Sequence, residues 1–180
     1  MKKILVLAAV VAVGFAVNAS AFTFDQSKLT YGAMPFYSMP TGDAGDVLDS
    51  SLGLGVSADY LLQDNIKVGL ELGYAFGYEF DANSDYSFSV LNIGPVAKYF
   101  VTRDMLTFYG VAGIELYHSS LNKTVAGYDS SSDLGLNLGG GIGYEVNKNM
   151  TAGAELRYHT VGGDLDADFI NLGFKLDYKF

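Results

Sequence analysis

The sequence has no cysteine, no tryptophan, only 3 prolines, and 11 basic residues against 20 acidic ones. Without cysteine there is no disulfide, no thiolate metal site and no sulfur nucleophile. Nucleic acids are met by clustered Lys and Arg, so a formal charge of -9 argues against such a partner. Long hydrophobic runs are also scarce. The one candidate, residues 4–17, is 14 residues long, whereas a membrane-crossing helix needs roughly 20. What the chain does have is 22 glycines and 25 Tyr and Phe residues. That mixture suits strands needing bulk on one face and little volume on the other. At 180 residues the chain makes one domain with a sizeable core.

The early apolar run reads as an address. Lys2 and Lys3 precede it, and Ala19-Ser20-Ala21 ends it with the small-x-small pattern of a cleavage site. Residues 1–21 are therefore expected to be a signal peptide, leaving 22–180 as the mature domain outside the cytoplasm. Losing Lys2 and Lys3 takes the formal charge from -9 to -11.

Beyond residue 29 the sequence alternates with period two, which separates two faces on a strand and scatters them on a helix. In the stretch 66–80, Ile66, Val68, Leu70, Leu72, Tyr74, Phe76, Tyr78 and Phe80 are large and apolar. The intervening Lys67, Gly69, Glu71, Gly73, Ala75, Gly77 and Glu79 are small or charged. The same contrast runs through 52–60, 134–146, 150–158 and 170–180. It is weaker through 86–101 and 106–117, and weakest in 29–37, where Pro35 removes a ladder donor. Short connections near 63–65, 102–104 and 147–149 alternate with longer ones over 39–50, 81–85, 119–132 and 162–167. Eight strands joined in this rhythm predict an all-β, antiparallel, up-and-down transmembrane barrel, with short turns and both chain ends facing the periplasm. A soluble barrel would alternate too, with its large residues inward. Glycine on the polar face speaks for the membrane form, because it relieves crowding inside an eight-stranded barrel and would only weaken the outside of a soluble one. The strand lengths match roughly 9–11 residues for a tilted bilayer crossing.

The ending, with Phe174, Leu176, Tyr178 and the terminal Phe180 alternating against Lys175, Asp177 and Lys179, is similar to the C-terminal assembly signal of outer-membrane barrels. Together with Gly139-Gly140-Gly141-Ile142-Gly143-Tyr144-Glu145 and Glu155-Leu156-Arg157-Tyr158-His159, it resembles the outer-membrane β-barrel domain family, also called porin-family or opacity-like proteins. The resemblance implies a bacterial outer-membrane location, insertion by the barrel-assembly machinery, and contact with lipid and lipopolysaccharide. It carries no reactive site, because members share a strand pattern.

The polar faces collect Glu71, Lys98, Glu115, Glu145, Glu155, Arg157, Lys175 and Asp177. Buried charges must pair, so these are expected to form an ion-pair network filling the lumen rather than a gate. His159 is expected inward beside Glu155 and Arg157. His118 and Ser120, two apart, resemble the pair on the lipid-facing side of lipid A deacylase barrels. Those enzymes place Asn directly after the Ser, where this chain has Leu121 and then Asn122, and no acid clearly fills the third role. Asp164, Asp166 and Asp168 share the opening spacing of an EF-hand loop, but Lys175 stands where its closing Glu belongs. Those aspartates, with Asp43, Asp46, Asp49, Asp81, Asp85, Asp129 and Asp133, read as solvated, acidic loop tips. No cofactor and no metal is expected. Tyr and Phe near strand ends are expected to form interfacial girdles.

Three functions follow from different classes. The leading one is a membrane anchor whose acidic outer loops meet an unidentified ligand, without enzymatic activity. The alternative is a narrow channel for ions or very small solutes, and a lipid A-modifying enzyme is more remote.

Overall fold

The alternating segments form eight strands: β1 Leu29–Thr41, β2 Ser51–Gln63, β3 Ile66–Phe80, β4 Asn83–Arg103, β5 Leu106–Leu121, β6 Ser131–Asn147, β7 Met150–Val161 and β8 Ala167–Lys179. They are seen in a computed structural model that describes residues 25–80, 83–121 and 130–179, the side chains of 83–85 excepted. The expected leader, the side chains of Asp81, Asp85 and Asp129, Asn122 and Phe180 lie outside the described residues. Every strand pairs antiparallel with its neighbours in sequence, and β1 closes onto β8. Closure leaves no strand edge unpaired.

The large residues point outward. Leu134, Leu138 and Leu52 are 68%, 67% and 65% exposed, while the charged Glu115 and Asp59 on the opposite face are 0% and 1% exposed. A soluble barrel would show the reverse, so the alternation has the sense of a lipid-embedded wall. Neighbouring strands meet through two-residue turns at Asp64-Asn65, Asp104-Met105 and Lys148-Asn149. Asp104 takes a left-handed backbone there, with φ of 54°, which Asp tolerates better than bulkier residues.

The structure departs from the sequence pattern in three places. The first strand runs on to Thr41 rather than ending near residue 37. Pro35 is accommodated facing outward, at an interruption in the β1–β8 pairing between Ala33↔Leu176 and Phe36↔Gly173. Several long connections are shorter than the pattern implied: β4 begins at Asn83, β5 reaches Leu121 and β6 begins at Ser131. The third departure turns side chains over. Between Ala75 and Tyr78 the β3–β4 register shifts, so Phe76 and Gly77 together oppose Ser89. Such a bulge inverts the faces beyond it. Tyr78 therefore points inward, 2% exposed, and Glu79 outward. The unbroken alternation through residue 80 had placed them the other way.

Candidate functional site

Three layers stack along the lumen, and each follows from which residues the strands turn inward at that height. Nearest the long loops is an aromatic plug. Phe36 of β1, Tyr78 of β3, Phe88 of β4 and Phe169 of β8 are buried together. Ring centroids lie 5.0 Å apart for Tyr78–Phe88 and 5.2 Å for Tyr78–Phe169. The Tyr78 hydroxyl shares a hydrogen bond of 2.6 Å with Ser38 Oγ, satisfying the polar end of an otherwise apolar packing. The connection after β1 forms a 3₁₀ turn at Gly42–Asp46 and then lays Leu48 onto the plug, tied by a backbone bridge to Phe80.

Below the plug lies a layer of charges. Lys98 Nζ reaches Asp59 Oδ2 at 2.8 Å and Glu71 Oε1 at 2.7 Å. Arg157 forks between Glu71 and Glu155, and Tyr109 donates to Glu155 Oε2 at 2.9 Å. Lys175 joins Asp59 at 3.7 Å to Asp177 at 3.3 Å. One connected chain thus runs Asp177, Lys175, Asp59, Lys98, Glu71, Arg157, Glu155. Burial of such ions is tolerable because each meets opposite charge.

Glu115 is buried close by on different terms. It accepts from Asn92 Nδ2 at 2.8 Å and Tyr117 Oη at 2.9 Å. Asn171 Nδ2 approaches His159 Nε2 at 3.1 Å, which leaves the His159 Nδ1–H to donate to Tyr117 Oη at 2.8 Å. His159 therefore faces inward, as its strand position implied, bonded to Tyr117 and Asn171 rather than to Glu155 or Arg157.

Of the lumen charges read from the sequence, Glu145 stands apart. It is exposed at the short-turn rim and joins none of the ion pairs among the described residues. Asp59, absent from that set, is a hub between two lysines. Its signal was present, since it continues the inward series Gly53, Gly55, Ser57. Tyr109 and Tyr117 were missed because an aromatic among outward aromatics gives no contrast.

The third layer is a vestibule of about 330 Å³ at the short-turn end. Above it the lumen narrows to cavities of about 30 Å³ in the charge layer and about 10 Å³ in the plug. These hold at most a water or two, not a continuous aqueous column.

On the outer wall, His118 and Ser120 both face lipid, as the family pattern of spacing suggested. His118 Nδ1 is bonded to Ser132 Oγ at 2.9 Å and Ser120 Oγ to Ser89 Oγ at 3.0 Å. Each is thus paired with a serine of a neighbouring strand, and no carboxylate is bonded to His118 among the described contacts. In the last loop the aspartates diverge. The Asp164 backbone N–H donates to Asp133 Oδ1 at 3.1 Å, and Asp168 accepts from Tyr158 Oη at 2.6 Å. Phe174, Leu176 and Tyr178 lie on the lipid side of β8.

The sequence profile of the family described as outer membrane protein beta-barrel domain matches residues 5–180. Among solved structures, Neisserial surface protein A, NspA, superposes with a TM-score of 0.70 at 19% identity, over 85% of this chain and 97% of its own. Ail, the attachment invasion locus protein of Yersinia pestis, gives 0.59 at 14% identity, over 85% of this chain and 99% of its own. Ail has also been crystallised with the heparin analogue sucrose octasulfate. The outer membrane enzyme PagL gives 0.53 at 15% identity, over 83% of this chain and 99% of its own. A search of curated protein sequences gives no significant match. Identities this low speak for the shared fold alone.

Proposed function

Because the chain belongs to the outer membrane protein beta-barrel domain family and resides in the bacterial outer membrane, we propose that it is a structural and surface-interaction protein. In this reading the barrel is a rigid anchor and the acidic outer loops are the working surface. The observation that carries it is the occluded lumen: a charge layer and an aromatic plug stand in series between the two ends. That arrangement favours an anchor over a narrow channel, since conduction would require both to open. Insertion by the barrel-assembly machinery, through Phe174, Leu176, Tyr178 and Phe180, and removal of residues 1–21 belong to the same proposal.

The loop chemistry limits the partner. Asp43, Asp46 and Asp49 after β1 and Asp164 and Asp166 after β7 are exposed, and they repel polyanions. A sulfated sugar of the kind crystallised with Ail is therefore disfavoured here, and a cationic partner, or lipopolysaccharide phosphate bridged by divalent cations, is favoured. The test has two arms. Planar bilayers with the folded protein should stay at the lipid-only baseline, and reproducible steps would replace this reading with the channel. Cells carrying Asp43→Asn, Asp46→Asn, Asp164→Asn and Asp166→Asn together should lose adhesion to cationic surfaces while keeping normal barrel levels. Unchanged adhesion would remove the loops from the role.

A further inference from the structure

The vestibule at the short-turn end is unlike the rest of the molecule in charge. The protein is acidic as a whole, yet six lysines line this one cavity against four carboxylates. Lys98 and Lys175 lie deepest and are occupied by Asp59, Glu71 and Asp177. Lys67 is different. Its Nζ donates to Thr30 Oγ1 at 3.3 Å and rides 5.4 Å from the centre of the Phe100 ring. None of the described ion pairs includes it. An ammonium carries three donors, and Thr30 Oγ1 is the one hydrogen-bond acceptor described for this one. At the rim Lys28, Lys148 and Lys179 are likewise outside the described ion pairs. The remaining rim carboxylates, Asp64 and Glu145, are exposed.

A half-buried cation outside the described ion pairs, inside a cavity of about 330 Å³, has the size and polarity of a small-ligand site. The sign of the charge selects an anion. The aromatic rings of the wall lie under lysines, Phe100 under Lys67 and Tyr109 under Lys175, so the wall selects by charge rather than by stacking.

We propose that this vestibule binds a phosphate-bearing small molecule from the periplasm, with its phosphate seated on Lys67 and Lys148 at the entrance. The proposal is independent of the role assigned to the outer loops. Phosphate chemistry has two sources at this height, a free solute and the headgroup of an inner-leaflet lipid. The cavity opens along the barrel axis, through a ring formed by the ends of all eight strands, so a free solute reaches it directly.

The experiment uses the full protein purified from outer membranes into maltoside micelles at low salt, titrated with pyrophosphate by calorimetry. One saturable site is expected. Lys67→Met should weaken it about tenfold or more, the weight of a charge-assisted hydrogen bond, and Lys148→Gln by a smaller factor. Arg103→Gln removes a cation at the end of β4 that is not part of the cavity lining and should leave binding unchanged. Absence of saturable binding, or an equal loss in Arg103→Gln, overturns the site and leaves only diffuse attraction. Heat-modifiable gel mobility checks that each variant is folded. If Lys67→Met fails that check, amide shifts of the wild type decide: changes confined to vestibule residues support the site, and changes scattered over the outer loops overturn it. Short-chain phosphatidylglycerol should not compete with pyrophosphate; competition would reassign the phosphate to a lipid headgroup.

Discussion

Asp59 and Arg157 show what single side chains must do inside this barrel. Each sits at a branch of the ion-pair chain, so truncating either takes a partner from more than one opposite charge. Arg157→Met should cost about 3–5 kcal/mol, because Glu155 is left buried with no ion-pair partner and Glu71 keeps only Lys98. Urea unfolding in micelles measures this. The double variant Arg157→Met with Glu71→Gln should recover part of the loss, and strict additivity would show that the two do not act as a pair. Gly94 is constrained by space. A Cβ there would run into the Ile114 carbonyl and the Glu115 side chain, so Gly94→Val should cost at least about 1–3 kcal/mol through overpacking. On the outer wall, Ser120→Ala is expected to leave lipid A mass spectra unchanged, since the His118 and Ser120 hydrogen bonds go to different serines. An altered spectrum would reopen the enzyme reading.

At the scale of elements, the bulge in β3 decides how the outer end of the lumen is closed. Two residues opposing one bring Tyr78 inside, where it contacts Phe88 and Phe169. Tyr78→Ala should destabilise the barrel by about 3 kcal/mol, the usual cost of deleting a buried aromatic. Deleting Gly77 should be milder, because it removes the extra residue and leaves Ala75, Phe76 and Tyr78 alternating in, out and in, with Tyr78 still in the plug. Retained heat-modifiable mobility in the deletion, with a smaller stability loss than in Tyr78→Ala, would bear out that order. The loop after β7 has its own tether. Asp133 of β6 accepts from the backbone N–H groups of Asp164 and Leu165, and Gly163 reaches that geometry with φ of 72°. Asp133→Ala should speed hydrogen exchange and proteolysis in residues 162–166 while leaving the barrel intact.

The whole molecule is a wall turned inside out relative to a soluble protein, with its polar residues supplying the core. Its outward surface answers to lipid rather than water. Leu138→Arg, near mid-wall by its pairing with Tyr158 and Ala112, should cost about 2–4 kcal/mol in bilayers, read by unfolding titration in liposomes. In a detergent that admits water to that face, the penalty should shrink. Charge is also partitioned along the axis, with exposed aspartates at the loop end and lysines gathered in the vestibule.

The sequence by itself determined the strand count, the up-and-down order and which face of most strands meets lipid. These follow from period two and turn spacing, and both are local properties of the chain. It also placed most of the lumen charges, because a charged residue in an inward series has only the interior to occupy. Tertiary structure alone decided the partners. Glu71 meets Arg157 across 86 positions of sequence, and Asp59 meets Lys98 and Lys175, because closure of β1 on β8 brings distant strands to one height. The bulge at Phe76-Gly77 was hidden because alternation continues past it, and only the β4 pairing reveals the extra residue. Closure likewise created the plug and the vestibule: each is a ring drawn from several strands, and no single strand carries the pattern of either.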